Sequence, residues 1–311
     1  MKPSFLVFTD LSPRSRRAAW YAALLAQAAG GQVVLVHMEA IPPAEPEVGL
    51  FTLSAEYYQQ EQDAQAALHA LAGQLPAPAV VEPAVSSVTQ VLTDFVDRWQ
   101  PVVLVLGTVP EQDMLDAIWY NQMLPALRDA GLPVLLVPDE AALDPVLPRL
   151  VAVAADGREF RLAASAAVGP AVLSSWPAAF SVVHVAPPGG TGINRAVAAV
   201  HHSGLLPPAA ACLPYEARQQ PCSAGIVQAV LDVQADLLVL LTRPRSLVSS
   251  MFGGGVAAHV VRNCPVPTLL LPTAEVPQPE PEPKTIDGMS YSYPATLGAA
   301  LTSLLARPAR A

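Results

Sequence analysis

Four apolar runs of strand length occur twice along this chain, in the same order each time, and this duplication constrains the fold more than any other feature. Phe5-Leu-Val-Phe-Thr-Asp10 is an apolar run closed by an acid, and Leu150-Val-Ala-Val-Ala-Ala-Asp156 repeats it. Val33 to His37 recurs as Ser181 to His184, Val102 to Thr108 as Asp236 to Thr242, and Leu132 to Pro138 as Val266 to Pro272. The order implies two copies of one domain, over residues 1–140 and 148–273, followed by a tail over 274–311. The boundary falls near Asp139 to Pro148, where Pro145 and Pro148 interrupt the pattern.

Within each copy, short apolar runs alternate with longer stretches of helical spacing. Val88, Val91, Leu92, Phe95, Val96 and Trp99 step by three and four, which is one stripe of an amphipathic helix. Ala18, Ala22, Leu25 and Ala29 do the same, with Gly30-Gly31 as the stop, and Ile226, Val230 and Val233 do so in the second copy. Uninterrupted Val and Leu runs read as strands buried on both faces, hence parallel strands with helices on either side. The expected fold is α/β, two tandem doubly wound domains whose ligand edge lies at the carboxyl ends of the strands.

Hydrophobic residues make up 52% of the 311, too many for a disordered chain. The net charge of −9 argues against a sequence-independent nucleic-acid binder, which needs surplus Lys and Arg. Cys212, Cys222 and Cys264 are too few and too scattered for a disulfide framework or a zinc site. Phe5 to Phe8 precedes Arg14, Arg16 and Arg17, the reverse of a secretory leader, and Pro170, Pro177 and His184 break the apolar stretch from Ala163 to Ala186. These features predict a cytoplasmic protein with no membrane span and no metal.

The same segments resemble the universal stress protein family in a tandem arrangement. The residues that carry the likeness are Val7-Phe-Thr-Asp-Leu-Ser12, Val34-Leu-Val-His37, Val105-Leu-Gly-Thr108 and Gly131-Leu-Pro-Val-Leu-Leu-Val137 in the first copy. In the second they are Ala154-Ala-Asp-Gly157, Val182-Val-His184, Leu240-Leu-Thr-Arg243 and the run from Arg262 to Leu271. The region from Thr191 to Cys222 matches poorly, as though the helix between the second and third strands were shortened. The resemblance implies five parallel strands and about four helices per copy. It also implies dimerisation through the last strand, met here within one chain as an intramolecular pseudo-dimer that pairs Leu135-Leu-Val137 with Leu269-Leu-Leu271.

The resemblance further implies an acid after the first strand that contacts the adenine–ribose end of a nucleotide. It implies a motif resembling G-x2-G-x9-G-[S/T] after the fourth strand, where glycines admit phosphates to backbone N–H groups. In the first copy those four positions are Gly107, Pro110, Tyr120 and Asn121; in the second they are Leu241, Pro244, Gly254 and Gly255. Pro110 has no N–H to offer, and Tyr120 fills the space of a phosphate. Asp10 and Asp156 are the acids, either facing a ligand or capping the next helix. An anion site is expected, if anywhere, in the second copy. Gly253, Gly254 and Gly255 precede a helical stretch there, Arg243 and Arg245 supply charge, Ser249 and Ser250 supply hydroxyls, and Asp156 faces them.

His37 and His184 end their second strands in register and read as histidines satisfied by backbone. Gly189-Gly-Thr-Gly192 reads as a flexible turn, and Arg14, Arg16 and Arg17 as a solvated face. The segment Val276 to Pro283 alternates proline with acid or amide and reads as an extended spacer before a Leu-spaced stretch from Ala295 to Ala306. No hydrolase or Walker signature is present. The expected function is that of a non-catalytic stress-response protein acting through a protein partner, as a monomer or homodimer without a cofactor. The alternative is an ATP- or AMP-binding module with its site in the second copy.

Overall fold

Every residue of β1 (Ser4–Thr9) is buried, and its apolar run from Phe5 to Phe8 suits a strand covered on both faces. It lies between β2 (Gln32–Met38) and β4 (Val102–Thr108), parallel to both. With β3 (Ala79–Val85) and β5 (Val134–Pro138) it gives the first copy the strand order β3-β2-β1-β4-β5. The second copy repeats that order with β9 (Cys212–Arg218), β8 (Ala179–Ala186), β6 (Leu150–Ala154), β10 (Leu237–Thr242) and β11 (Thr268–Glu275). This computed structural model describes residues 2–38, 55–85, 88–100, 102–108, 131–139, 145–186, 192–243, 255–275, 285–286 and 289–290.

The two halves join into one eleven-stranded sheet through β5 and β11, which run antiparallel. Leu269 faces Leu135, Thr268 faces Leu136 and Leu270 faces Val134. The pairing is the expected one, with its centre one residue earlier in both strands. Beyond the seam β11 continues, and its last residues pair with a short extra strand, β7 (Phe160–Leu162), which the repeat does not foretell.

Helices cover both faces. On one side lie α1 (Pro13–Ala28), α2 (Ala55–Gln74), α4 (Gly169–Ser175) and α5 (Ile193–His202), packed on alternate strand residues such as Phe5, Val7, Phe180 and Val182. On the other lie α3 (Val88–Trp99), α6 (Cys222–Asp232) and α7 (Val256–Asn263), packed on Leu6, Phe8, Leu238 and Leu270. Small alanines on the buried face of α1 let that helix lie close to the sheet. Its start is fixed by Pro13 in the first turn and by Ser12, whose hydroxyl accepts from the Ser15 N–H. Gly30 ends it at φ 64, as the sequence suggested.

The halves differ where the repeat is weakest. The helix between second and third strands spans 20 residues in the first copy and 10 in the second. After β6 the chain makes β7, a single 3-10 turn at Ala164–Ala166 and the seven-residue α4, instead of a helix like α1. Gly169 and Pro170 delay helix formation there. Residues 276–311 form a separate unit, in which β12 (Thr285–Ile286) pairs antiparallel with β13 (Met289–Ser290).

Candidate functional site

In both halves the chain leaves the central strand through an acid and a sharp turn. In the first, Asp10 accepts from the Ser12 N–H at 3.0 Å and pairs with Arg14 at 3.3 Å. Burial raises the Asp10 carboxyl, but hydrogen bonds from Ser12 and Ser15 and the charge of Arg14 outweigh it and hold the group below its ordinary value. Leu11 between them is left-handed, at φ 63, and its N–H donates to the Thr9 hydroxyl. Gly157 holds the matching place in the second half at φ 79, where glycine meets no steric penalty. The capping alternative for the two acids fails. Ser12 caps α1, and no helix follows Asp156 directly.

The ends of β4 and β10 complete the crevice in each half. Gly107 sits against the first turn of α1, where a Cβ would stand 3.2 Å from the Arg14 carbonyl oxygen. The close approach of two backbones therefore accounts for this glycine without a phosphate. In the second half Arg243, just past β10, reaches across to Asp156 and donates from one terminal nitrogen to both carboxylate oxygens at 3.2 Å. Arg158 approaches the same carboxylate at 3.8 Å. Gly255 is the N-cap of α7 in extended conformation, so the helix begins where the glycine run predicts. Arg245, Ser249, Ser250, Gly253 and Gly254 lie outside the described residues, as do Pro110, Tyr120, Asn121 and Pro244.

A second cluster adjoins Asp156. His184 is 3% exposed, and its Nδ1 bonds the Ala155 carbonyl at 2.9 Å, as read from the sequence. Its Nε2 has no partner and lies against Gly192, where a Cβ would stand 1.8 Å away. Gly192 is thus required by close packing, while Gly189, Gly190 and Thr191 of the expected turn lie outside the described residues. Glu216 on β9 accepts from the Ile193 N–H at 3.1 Å at the start of α5 and pairs with Arg218. No pattern in the sequence foretold the contact between Glu216 and the Ile193 N–H, which joins two different elements 23 residues apart. The expected solvated face of α1 is also more engaged: Arg16 donates to the Leu11 carbonyl and Arg17 pairs with Asp139 at 2.9 Å. Burial, with the nearby charge of Asp156, raises the Cys222 thiol, which does not mark it as a reactive thiolate.

The sequence pattern of the Universal stress protein family matches residues 2–138 and again 150–272. The chain belongs to the universal stress protein family. Among solved structures it is similar to a universal stress protein from Archaeoglobus fulgidus, at 17% identity and a TM-score of 0.61, over 86% of this chain and 95% of that one. It is also similar to a putative universal stress protein from Pseudomonas aeruginosa, at 16% identity and a TM-score of 0.52, over 87% and 93% of the two chains. A functionally unknown protein from the same species matches at 15% identity and a TM-score of 0.51, over 86% and 92%. No curated protein matches. Among the described residues of this tandem stress protein, no helix is long and apolar enough to cross a membrane, and no group of His, Cys, Asp and Glu is arranged to hold a metal.

Proposed function

We propose that this universal stress protein is a non-catalytic stress-response protein of the cytoplasm that works by binding a protein partner and holds no nucleotide tightly. The observation that carries this reading is the Arg243–Asp156 pair. The acid that would meet a ribose and the cation that would meet a phosphate neutralise each other across the mouth of the crevice. A nucleotide would have to draw Arg243 off Asp156 before its ribose could reach that carboxylate. The first half supports the same reading, since Asp10 is engaged by Arg14 and Gly107 by α1. The sequence adds Pro110 and Tyr120 at its phosphate positions. Equilibrium dialysis of the full chain against labelled Mg-ATP and AMP should detect no binding at micromolar concentration. Mass spectrometry of molecules released on denaturation should find no nucleotide. Micromolar affinity for either compound would overturn the proposal.

The second reading, an ATP- or AMP-binding module with its site in the second half, is favoured by one observation. Gly255 opens α7 with no side-chain cap hydrogen bond among the described residues. Under that reading, exchange of Arg243 for Gln would weaken nucleotide binding. Under the first it would leave the protein equally unresponsive.

A further inference from the structure

Charge is segregated along this chain. Residues 1–140 hold 6 Lys+Arg against 16 Asp+Glu, whereas 148–273 hold 8 Arg, no Lys and 5 Asp+Glu, so the positive charge gathers on the second half. The fold gathers it further. Arg243 follows β10, Arg158 follows β6, Arg195 lies in the first turn of α5 after β8, and Arg218 is the last residue of β9. These four strands are neighbours in the order β10-β6-β8-β9 and run parallel, so all four arginines stand on one edge of the sheet.

Three carboxylates share that edge with the four arginines: Asp156 is engaged by Arg243 and Arg158, Glu216 by Arg218 and the Ile193 N–H, and the exposed Glu159 follows Arg158. The rim keeps an excess of positive charge. Arg158 and Arg218 are 74% and 76% exposed. Arg195 is exposed with no ion-pair partner among the described residues. Each guanidinium carries five donors, so Arg158 and Arg218 keep donors beyond those in their ion pairs.

We infer that this rim docks an acidic, extended segment of a partner protein, which names the partner chemistry of the function proposed above and rests on that reading. Four neighbouring strands span roughly 15 Å, the length of about five residues of extended chain. The cations are spread along that line rather than converging on one cavity, which suits a row of carboxylates better than a single phosphate group. The rim's own carboxylates and the acidic first half oppose the continuous phosphate backbone of a nucleic acid.

The test uses the full chain and a fluorescein-labelled peptide of seven glutamates, read by fluorescence anisotropy. A seven-glutamine peptide and a single-stranded oligothymidylate of equal length are the controls. The glutamate peptide should bind at low salt, and binding should weaken tenfold or more between about 50 and about 300 mM salt. The combined variant Arg158→Gln, Arg195→Gln, Arg218→Gln should lose the binding, while Arg149→Gln, exposed just before β6 at the opposite end of the strands, should keep it. Because the triple variant also removes two ion pairs, Arg195→Glu serves as a second variant that disturbs none and should weaken binding at least threefold. The inference is overturned if the glutamate peptide does not bind, if both rim variants bind as the wild type does, or if the oligothymidylate binds more tightly. Mg-ATP should not displace the peptide. Its binding in dialysis would defeat the proposed function, whereas failure of the peptide alone would defeat only this inference.

Discussion

Buried polar atoms without partners show where single residues are under tension. Tyr21 is 6% exposed on α1, and its hydroxyl has no hydrogen-bond partner. Burial, with the charge of Asp236 beside it, holds the phenol proton above its ordinary range. An orphaned buried hydroxyl carries its desolvation cost with no return, so Tyr21→Phe should be neutral or stabilising by up to about 1 kcal/mol in urea denaturation. A loss of more than that would mean the hydroxyl has a partner in the native protein. Asp10 makes a pH prediction. Its native value is depressed, so its contribution is complete above the ordinary carboxylate range and is lost as pH falls through the native value. Asp10→Asn should therefore lower stability at pH 7 and flatten the decline on acidification; parallel denaturant curves from neutral to acid pH check both. The carboxyl is partly exposed, so the effect is a fraction of what a buried pair would give.

At the scale of elements, tight contacts fix how each turn is made. Gly192 opens α5 against the His184 ring, and any side chain there must push one of them away. Gly192→Ala should cost about 1–3 kcal/mol by overpacking, and pairing it with His184→Ala should recover part of that loss. Additive losses in the double variant would show that the two residues do not press on each other. Gly157→Ala should cost about 1–2 kcal/mol through its left-handed backbone alone, since its neighbours leave room for a methyl group. Such contacts explain what the sequence revealed and what it did not. The strands and their order were legible because each apolar run sits in a repeat, and the family likeness followed from that order. Asp10, Asp156 and Arg243 were legible because they close those runs. That Asp156 faces Arg243 was legible from the strand order, but not that the two bond each other, because both were read as turned toward a ligand. Nor was the buried Glu82 on β3 legible, held by Arg98 at 3.1 Å and by the Trp99 indole N–H at 2.8 Å. A lone acid inside a strand gives no sign of its partner on the following helix. Leu11 hid the turn that Gly157 advertised, because a leucine in left-handed backbone carries no mark in the sequence.

For residues 2–275 as a whole, the decisive feature is the antiparallel seam that joins two parallel sheets into one. A last strand left open would present a row of unpaired N–H and C=O groups, which invites pairing with another chain. Here β5 and β11 close each other, so the last-strand edge through which the family likeness implied dimerisation is used up internally. The outer edges of the described sheet, β3 and β9, each contain a proline, Pro83 and Pro214, which has no N–H to give a new partner strand. Glu82 also lies inside β3, a charge that disfavours stacking of one edge on another. The intact protein is therefore expected to be a monomer of 32.6 kDa at moderate concentration. Static light scattering measures that mass directly. Residues 1–140 made alone should self-associate through the exposed β5, and replacement of Leu136 by Pro in that fragment should restore a monomer by removing an N–H that faces β11 and bending the strand. A fragment that stays monomeric while folded would show that the seam does not protect a sticky edge. An intact chain that scatters as a dimer would show that another surface, outside β5 and β11, drives self-association.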